Sequence, residues 1–426
     1  MKKEISTEKY IKEKWKVNAA LFLGGQGISM FGSMLVHYAV MWYVTLKTGS
    51  GAVMTLFSVA AVLPTFFISP FGGVWADKYN KKYLINISDG AIALVTLAMA
   101  AAFFFGAENI WLLFVCSVAR GLGQGVQTPA VNALIPEIVP EENLTRVNGI
   151  SASIQSICMI AAPMAAGAVL TFMPIGAVLF IDVFTAVIGI AVVFFFVKNP
   201  LAVRKEKKAQ TGYFTDIKEG LSYMKGKKFI REFMIFAAIF QILFAPAAMM
   251  GPLQAARDFG GEVWRLSAVE ISFSAGMLLG GLIIGVWGGF KNRAHSFVFA
   301  SFLLGAETVA LGIIGLFGEF WTYAACIAIT GMTMPLFMTP VNSILQTNVE
   351  KEYMGRVFGV FSMISGIMMP LGMAAFGPLG DVVSIDLIFI ATGAAMFFLT
   401  FFVLGSKEML KAGKLPPKDG GSAVKP

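Results

Sequence analysis

Twelve long apolar runs joined by short charged loops fill this 426-residue chain. Their approximate limits are 18–46, 52–76, 83–106, 110–135, 144–172 and 176–197, then 229–255, 266–288, 296–317, 321–346, 354–379 and 385–404. About 20 apolar helical residues cross the roughly 30 Å of hydrocarbon in a bilayer. Lipid offers no partner to an unpaired N–H or C=O, so only helices and closed barrels can span it, and the alternating strands of a barrel are absent. The expected fold class is all-α integral membrane with twelve transmembrane helices. With 57% hydrophobic and 14% charged residues and a mean hydropathy of +0.75, the chain is too apolar for a soluble protein of this length.

The runs form two sets of six. Gly73-Val74-Trp75-Ala76-Asp77-Lys78-Tyr79-Asn80-Lys81 returns as Gly285-Val286-Trp287-Gly288-Gly289-Phe290-Lys291-Asn292-Arg293, and Arg146-Val147-Asn148-Gly149 returns as Arg356-Val357-Phe358-Gly359, each about 210 residues later. The duplication predicts two pseudo-symmetric six-helix bundles, at 18–197 and 229–404, with a solute path between them. A charged N-terminal segment (1–17), a linker (198–228) and a tail (405–426) complete the organisation.

Lysine and arginine crowd the N-terminal segment, alternate loops and the tail, whereas the other loops hold only Lys47, Arg257 and Arg265. By the positive-inside rule both termini are expected in the cytoplasm. The net charge of +8 then reflects topology and attraction to anionic lipids, and nucleic acid is not an expected partner. The first apolar run is too long for a signal-peptide core, so no cleaved leader is expected. Cys116, Cys158 and Cys326 lie inside runs without metal-ligand or redox spacing. No metal, cofactor or enzymatic constellation is expected.

The loop after the second run carries Gly73-x-x-x-Asp77-Lys78-x-x-Lys81-Lys82, which resembles the signature of the major facilitator superfamily, with Asn80 in place of its second glycine. Asn is expected to serve there because it too enters left-handed conformations, and Gly72 and Gly73 to permit close helix approach. The resemblance implies a conformational latch at Gly73, Asp77, Lys78, Lys81 and Lys82. Asp77 would face the N-terminus of span 11, where the helix dipole favours an anion. Lys81 and Lys82 are also accounted for as topology charges alone. The second copy has Gly289 where the acid would stand.

In span 4, Arg120, Gln124 and Gln127 fall at i, i+4 and i+7, on one helical face. A mid-bilayer arginine costs about 2.5–3.5 kcal/mol on insertion scales and needs a polar neighbour or water. Arg120-Gly121-Leu122-Gly123-Gln124-Gly125 resembles the arginine motif of proton-coupled members. Some 210 residues on stand Thr330, Met334 and Phe337, so a cavity polar on the first half and apolar on the second is expected. Gln26, Met30, Ser33 and His37 share a face of span 1. Candidate cavity residues are therefore Gln26, Met30, Ser33, Gln124, Gln127, Gln241, Thr330, Met334 and Phe337, and candidate proton-coupling groups are Arg120, His37, Glu270 and Glu307. Asp89 and Asp182 are the other acids within spans. In the family's fold spans 3, 6, 9 and 12 are peripheral, which argues against Asp182 and Glu307 on the main path.

Gly149, Pro163 and Gly167 in span 5 fit the spacing of the exporter motif, with Cys158, Ala162 and Ala166 at three of its glycine places. The run Thr128-Pro129-Ala130-Val131-Asn132-Ala133-Leu134-Ile135-Pro136 is similar to the macrolide-efflux branch, the third drug:proton antiporter group. That resemblance implies a monomeric, multi-pass plasma-membrane transporter of a prokaryote, exporting small amphipathic compounds against inward protons. A lipid or lysolipid flippase, a siderophore exporter and a facilitator without proton coupling share the same fold and stay open.

Overall fold

The computed structural model describes residues 2–198, 222–350 and 353–414. Among them the chain is helical with no strand. In the first part run α1 (Lys2–Thr48), α2 (Gly51–Lys78), α3 (Lys81–Phe104), α4 (Ile110–Ile138), α5 (Leu144–Phe172) and α6 (Ile175–Ala191). In the second part follow α7 (Lys228–Met249), α8 (Gly251–Asp258), α9 (Val263–Trp287), α10 (Arg293–Phe317), α11 (Phe320–Asn348), α12 (Met354–Leu379), α13 (Ile385–Gly405) and α14 (Lys407–Ala412).

Eleven of the long helices are apolar enough to cross a bilayer. The twelfth, α4, has ample length at 29 residues but carries Arg120, Gln124, Gln127, Asn132 and Glu137. Its polarity marks a face turned from lipid.

Span 7 departs from expectation. The run expected to continue to 255 bends at Met250 and restarts as α8. Pro252, in the first turn of α8, has no N–H to continue the ladder. Most of the expected linker at 198–228 lies outside the described residues, as does the Pro416-Pro417 end of the tail. The start of the tail forms α14, with Met409 and Ala412 buried.

The contacts gather the chain into two compact units. The first comprises Met1–Thr211, Met250–Ile271 and Met373–Val382, and the second Gly212–Met249, Ser272–Gly372 and Val383–Pro426. Two clusters form the core of the first unit, one around Leu35, Trp42, Met99, Leu113 and Val178, the other around Phe22, Ile85, Leu134 and Ile138. A phenylalanine cluster fills the second unit: Phe240 stacks on Phe337 with centroids 4.8 Å apart, and Phe236 stands 5.4 Å from Phe240.

The duplication extends to backbone contacts. A Cβ at Gly121 of α4 would lie 2.8 Å from the Ala61 carbonyl of α2, and one at Gly331 of α11 would meet the Phe273 carbonyl of α9. Gly331 follows Gly121 by 210 residues and Phe273 follows Ala61 by 212. Each half thus packs its second helix on its fourth at a glycine, the close approach that replaces a hydrophobic driving force in lipid.

Asn80 is used differently from expectation. It has φ −66°, and its side chain caps α3 by accepting from the Lys82 amide at 3.1 Å. The left-handed turn belongs to the other copy, at Gly288 (φ 73°) and Gly289 (φ 81°). Asn292 then caps α10, accepting from the Ala294 amide at 3.0 Å. Both loops therefore deliver the chain into a helix with an asparagine N-cap.

Candidate functional site

Three helices of the first unit carry polar residues seven apart: Gln26 and Ser33 on α1, Asp89 and Thr96 on α3, Arg120 and Gln127 on α4. Seven residues are nearly two turns, about 10.5 Å of rise, so each pair shares a face. Since α3 and α4 run in opposite directions, Asp89 meets Gln127 and Thr96 meets Arg120. Two polar layers result.

The first layer is charged. Arg120 Nη1 contacts both Asp182 Oδ2 and Thr96 Oγ1, and Nη2 reaches the Ser33 carbonyl at 3.4 Å. Ser33 Oγ donates to Asp182 Oδ1 at 2.7 Å, and Thr96 Oγ1 donates to Oδ2 at 3.0 Å. Asp182 has no exposed surface. Four helices are tied through one ion pair, whose remaining lone pairs are satisfied by hydroxyls. A buried pair is tolerated only when so satisfied.

The second layer has one charge. Asp89 Oδ1 accepts from Gln127 Nε2 at 2.8 Å and Oδ2 accepts from Gln26 Nε2 at 3.2 Å, while Gln127 Nε2 also donates to Gln26 Oε1 at 3.2 Å.

Both layers form part of the wall of a cavity of about 650 Å³, lined also by Met30, His37, Gln124, Asn132 and Gln155. That volume falls within the range of small-molecule sites. His37 is open to this space and stacks against Phe57 at 6.4 Å between centroids.

The second unit holds the counterpart of the charged layer without its charges. Thr330 stands 210 residues after Arg120, Thr392 stands 210 after Asp182, and Thr308 stands 212 after Thr96. All three are buried, and each hydroxyl donates to a carbonyl of its own helix: Thr330 to Cys326 at 3.1 Å, Thr392 to Ile388 at 2.8 Å and Thr308 to Leu304 at 2.7 Å. Ser301, the counterpart of Asp89, likewise donates to Phe297 O at 2.8 Å. The ion pair of one half is replaced by hydroxyls in the other, with buried Glu307 bonded to Thr333 beside them. Phe337 and Gln241 line a void of only about 10 Å³.

Comparison with known proteins fits this doubled helical architecture. The family model of the Major Facilitator Superfamily matches residues 22–373. The chain belongs to the Major Facilitator Superfamily. It is similar to Macrolide efflux protein A of Streptococcus pyogenes, with 28% identity over 386 residues, 91% of this chain and 94% of that protein. It is also similar to the Multidrug efflux pump Tap of Mycobacterium bovis (strain BCG / Pasteur 1173P2), at 22% identity over 86% of each chain. A crystal structure of a bacterial homologue of the iron transporter ferroportin in an inward-facing state has the same fold, with a TM-score of 0.69 at 15% identity, covering 91% of this chain and 99% of that one. The protein is thus a multi-pass membrane member of the superfamily.

The superfamily signature forms the α2–α3 turn. Gly72 lets α2 touch α4, since a Cβ there would lie 2.5 Å from the Gly125 carbonyl, whereas Gly73 faces open space. Close approach is therefore the task of Gly72 alone. Asp77 and Lys78 end α2 on the surface, with Lys78 Nζ 5.5 Å from the Tyr79 ring. Lys81 and Lys82 are more than topology charges. Lys81 is buried, its Nζ 2.7 Å from Glu137 Oε1 of α4, and Lys82 Nζ donates to the Val197 carbonyl at 2.7 Å. In the second copy Arg293 donates to Thr347 Oγ1 at 2.6 Å. Thr347 follows Glu137 by 210 residues, so this ion pair too has a neutral counterpart.

At the other end of α2, Asp381 holds the helix N-terminus. Its carboxylate accepts from the Gly51 amide at 2.6 Å, the Ala52 amide at 3.0 Å and Ser50 Oγ at 2.7 Å. Arg257 of α8 binds Asp381 Oδ1 at 3.0 Å, Gly380 O at 2.6 Å and Gly49 O at 2.5 Å. Partial burial raises the Asp381 carboxyl, and the hydrogen bonds from Ser50, Ala52, Gly51 and Arg257 outweigh it, holding the group below the usual carboxylate range. Gly51 and Gly377 pack backbone to backbone beneath this clamp. Nothing in the local pattern around Asp381 announces it.

The remaining candidates are dispersed. Met334 packs at the edge of the phenylalanine core, and Glu270 is half-buried on α9. Buried Glu307 accepts from Thr333 Oγ1 at 2.7 Å. Of the exporter-motif positions, Gly149 faces open space, Pro163 sits within an unbroken α5, and Gly167 abuts Ser267 of α9. Asp182, set aside as peripheral in the sequence, does not line the cavity but is the partner of Arg120. Asp89 joins the site because it stands one heptad from Thr96.

Proposed function

We propose that this protein is a secondary active transporter that exports amphipathic compounds of the macrolide class in exchange for protons, by alternating access. The observation that carries the reading is the Arg120–Asp182 pair, bound by Thr96 and Ser33, with Arg120 and Ser33 lining a drug-sized cavity of mixed polar and apolar wall and Asp182 buried behind them. An ion pair in a membrane helix bundle is costly to build and marks a functional pathway. Here a proton arriving on Asp182 releases the guanidinium and loosens contacts among α1, α3, α4 and α6, which converts protonation into helix movement. Efflux as the direction is supported by the similarity to Macrolide efflux protein A and to the pump Tap.

In this reading both termini lie in the cytoplasm of a prokaryotic cell, as the positive-inside rule favours, and the protein works as a monomer in the plasma membrane. Asp77 and its neighbours act as the latch on the cytoplasmic side. A proton moving down about 100 mV releases about 2.3 kcal/mol, against about 1.4 kcal/mol for each tenfold of accumulation, so one proton sustains roughly fiftyfold extrusion of a neutral compound, whereas a monovalent cation exchanged one for one cancels the electrical term and is driven by the pH gradient alone. The test is uptake of a labelled macrolide into inside-out proteoliposomes, with and without an imposed pH gradient. Gradient-dependent accumulation abolished by an uncoupler is expected; equal uptake in both conditions rules out proton coupling and leaves facilitated passage.

A further inference from the structure

The two layers differ in their charge balance. Arg120 and Asp182 contact each other and neutralise as a pair. Asp89 has only the amides of Gln26 and Gln127 as hydrogen-bond partners among the described residues. Amide donors solvate a carboxylate without cancelling its charge, and a buried charge is costly until it is paired. Arg120 does not supply that pairing, because it stands about 10.5 Å further along α4 and is already matched. Asp89 is the one acid on the cavity lining among the described residues, with 3% of its surface exposed.

The geometry points to Asp89 as the anchor for organic cations: a monovalent amphipathic ammonium or phosphonium ion is held by charge at this carboxylate and by apolar contact with Met30, Met34 and Ile92 on the same cavity wall. Gln26 is the gate to it. Its bond to Oδ2, at 3.2 Å, is longer than that of Gln127 at 2.8 Å. A cation that takes the place of the Gln26 amide supplies the missing charge, and Gln127 keeps Asp89 oriented. The second unit has no such site at the corresponding place, where Ser301 bonds to its own helix and Phe337 fills the Gln127 position. The proposal rests on the cavity being a substrate site and deepens that reading by assigning a charge class.

The test is equilibrium binding to the full-length protein in nanodiscs without any pH gradient, using labelled tetraphenylphosphonium and, as a neutral probe of similar bulk, triphenylphosphine oxide. Asp89→Asn keeps the shape and removes the charge. It is expected to weaken phosphonium binding by about tenfold or more and to change oxide binding by less than about twofold. Asp89→Glu is expected to retain the preference for the cation. If Asp89→Asn does not fold, Gln26→Leu, which removes the competing amide, is expected to strengthen phosphonium binding selectively. Equal losses for both probes, an unchanged phosphonium affinity in Asp89→Asn, no selective gain in Gln26→Leu, or no saturable phosphonium binding by the wild type overturns the proposal. Selective binding by a protein whose transport ignores the pH gradient leaves this site standing and removes proton antiport. Gradient-driven transport with equal losses for both probes does the reverse.

Discussion

Arg120 of α4 and Asp182 of α6 share a salt bridge between side chains 15% and 0% exposed, while the residues that occupy their places in the second half, Thr330 and Thr392, each bond back to their own helix. The second half shows how the same two positions are satisfied without an ion pair. This supplies an internal control for every substitution in the first.

Removing one member of the pair is expected to destabilise the protein by about 3–5 kcal/mol, because the other is left as an uncompensated buried charge. Arg120→Thr together with Asp182→Thr copies the second half and is expected to recover most of that loss. Thermal melting of the purified single and double variants checks this. Losses that simply add contradict a shared network.

Lys81 and Glu137 follow the same logic. Their side chains are 5% and 9% exposed, and Arg293 and Thr347 keep the contact in the second copy with a neutral acceptor. Glu137→Ala is expected to lower stability by about 3 kcal/mol or more, whereas Lys81→Arg with Glu137→Thr, the second-copy pair, is tolerated. Chemical denaturation of the variants distinguishes the two outcomes.

Asp381 carries a pH dependence of known sign. Its carboxyl is held below its ordinary value in the folded protein, so its contribution is present above the unfolded pKa and is lost as pH falls through the folded one. Melting temperatures of the wild type and of Asp381→Asn are expected to differ at neutral pH and to converge in acid. A constant difference across the range contradicts the assignment to this carboxylate.

Two glycines of the exporter-motif stretch in α5 differ in their surroundings. A Cβ at Gly149 meets open space, whereas one at Gly167 collides with the Ser267 side chain. Gly149→Ala is expected to leave stability and transport close to wild type. Gly167→Val is expected to lose about 1–3 kcal/mol through overpacking, measured by the same thermal assay.

The helices and the duplication are legible in the sequence because lipid demands long apolar runs and because Gly73-Val74-Trp75 repeats at Gly285-Val286-Trp287. The Arg120 face is legible for the related reason that charge inside such a run stands out. Its partner is not, since Asp182 is 62 residues away and pairing across helices depends on rotation that the apolar pattern of α6 leaves open. The heptad spacing of Gln26 and Ser33, Asp89 and Thr96, Arg120 and Gln127 was the available signal, because only residues two turns apart on three helices can build two layers. The Asp381 clamp has no such signal. It depends on the α2 N-terminus meeting a loop about 330 residues later, which no local spacing encodes.

The most direct measurement of the central claim is substrate-induced proton movement, followed with an entrapped pH dye in proteoliposomes, for the wild type beside the folded Arg120→Thr, Asp182→Thr double variant. The expected result is proton flux on macrolide addition in the wild type and none in the double variant. Undiminished flux in the double variant contradicts the assignment of coupling to this pair.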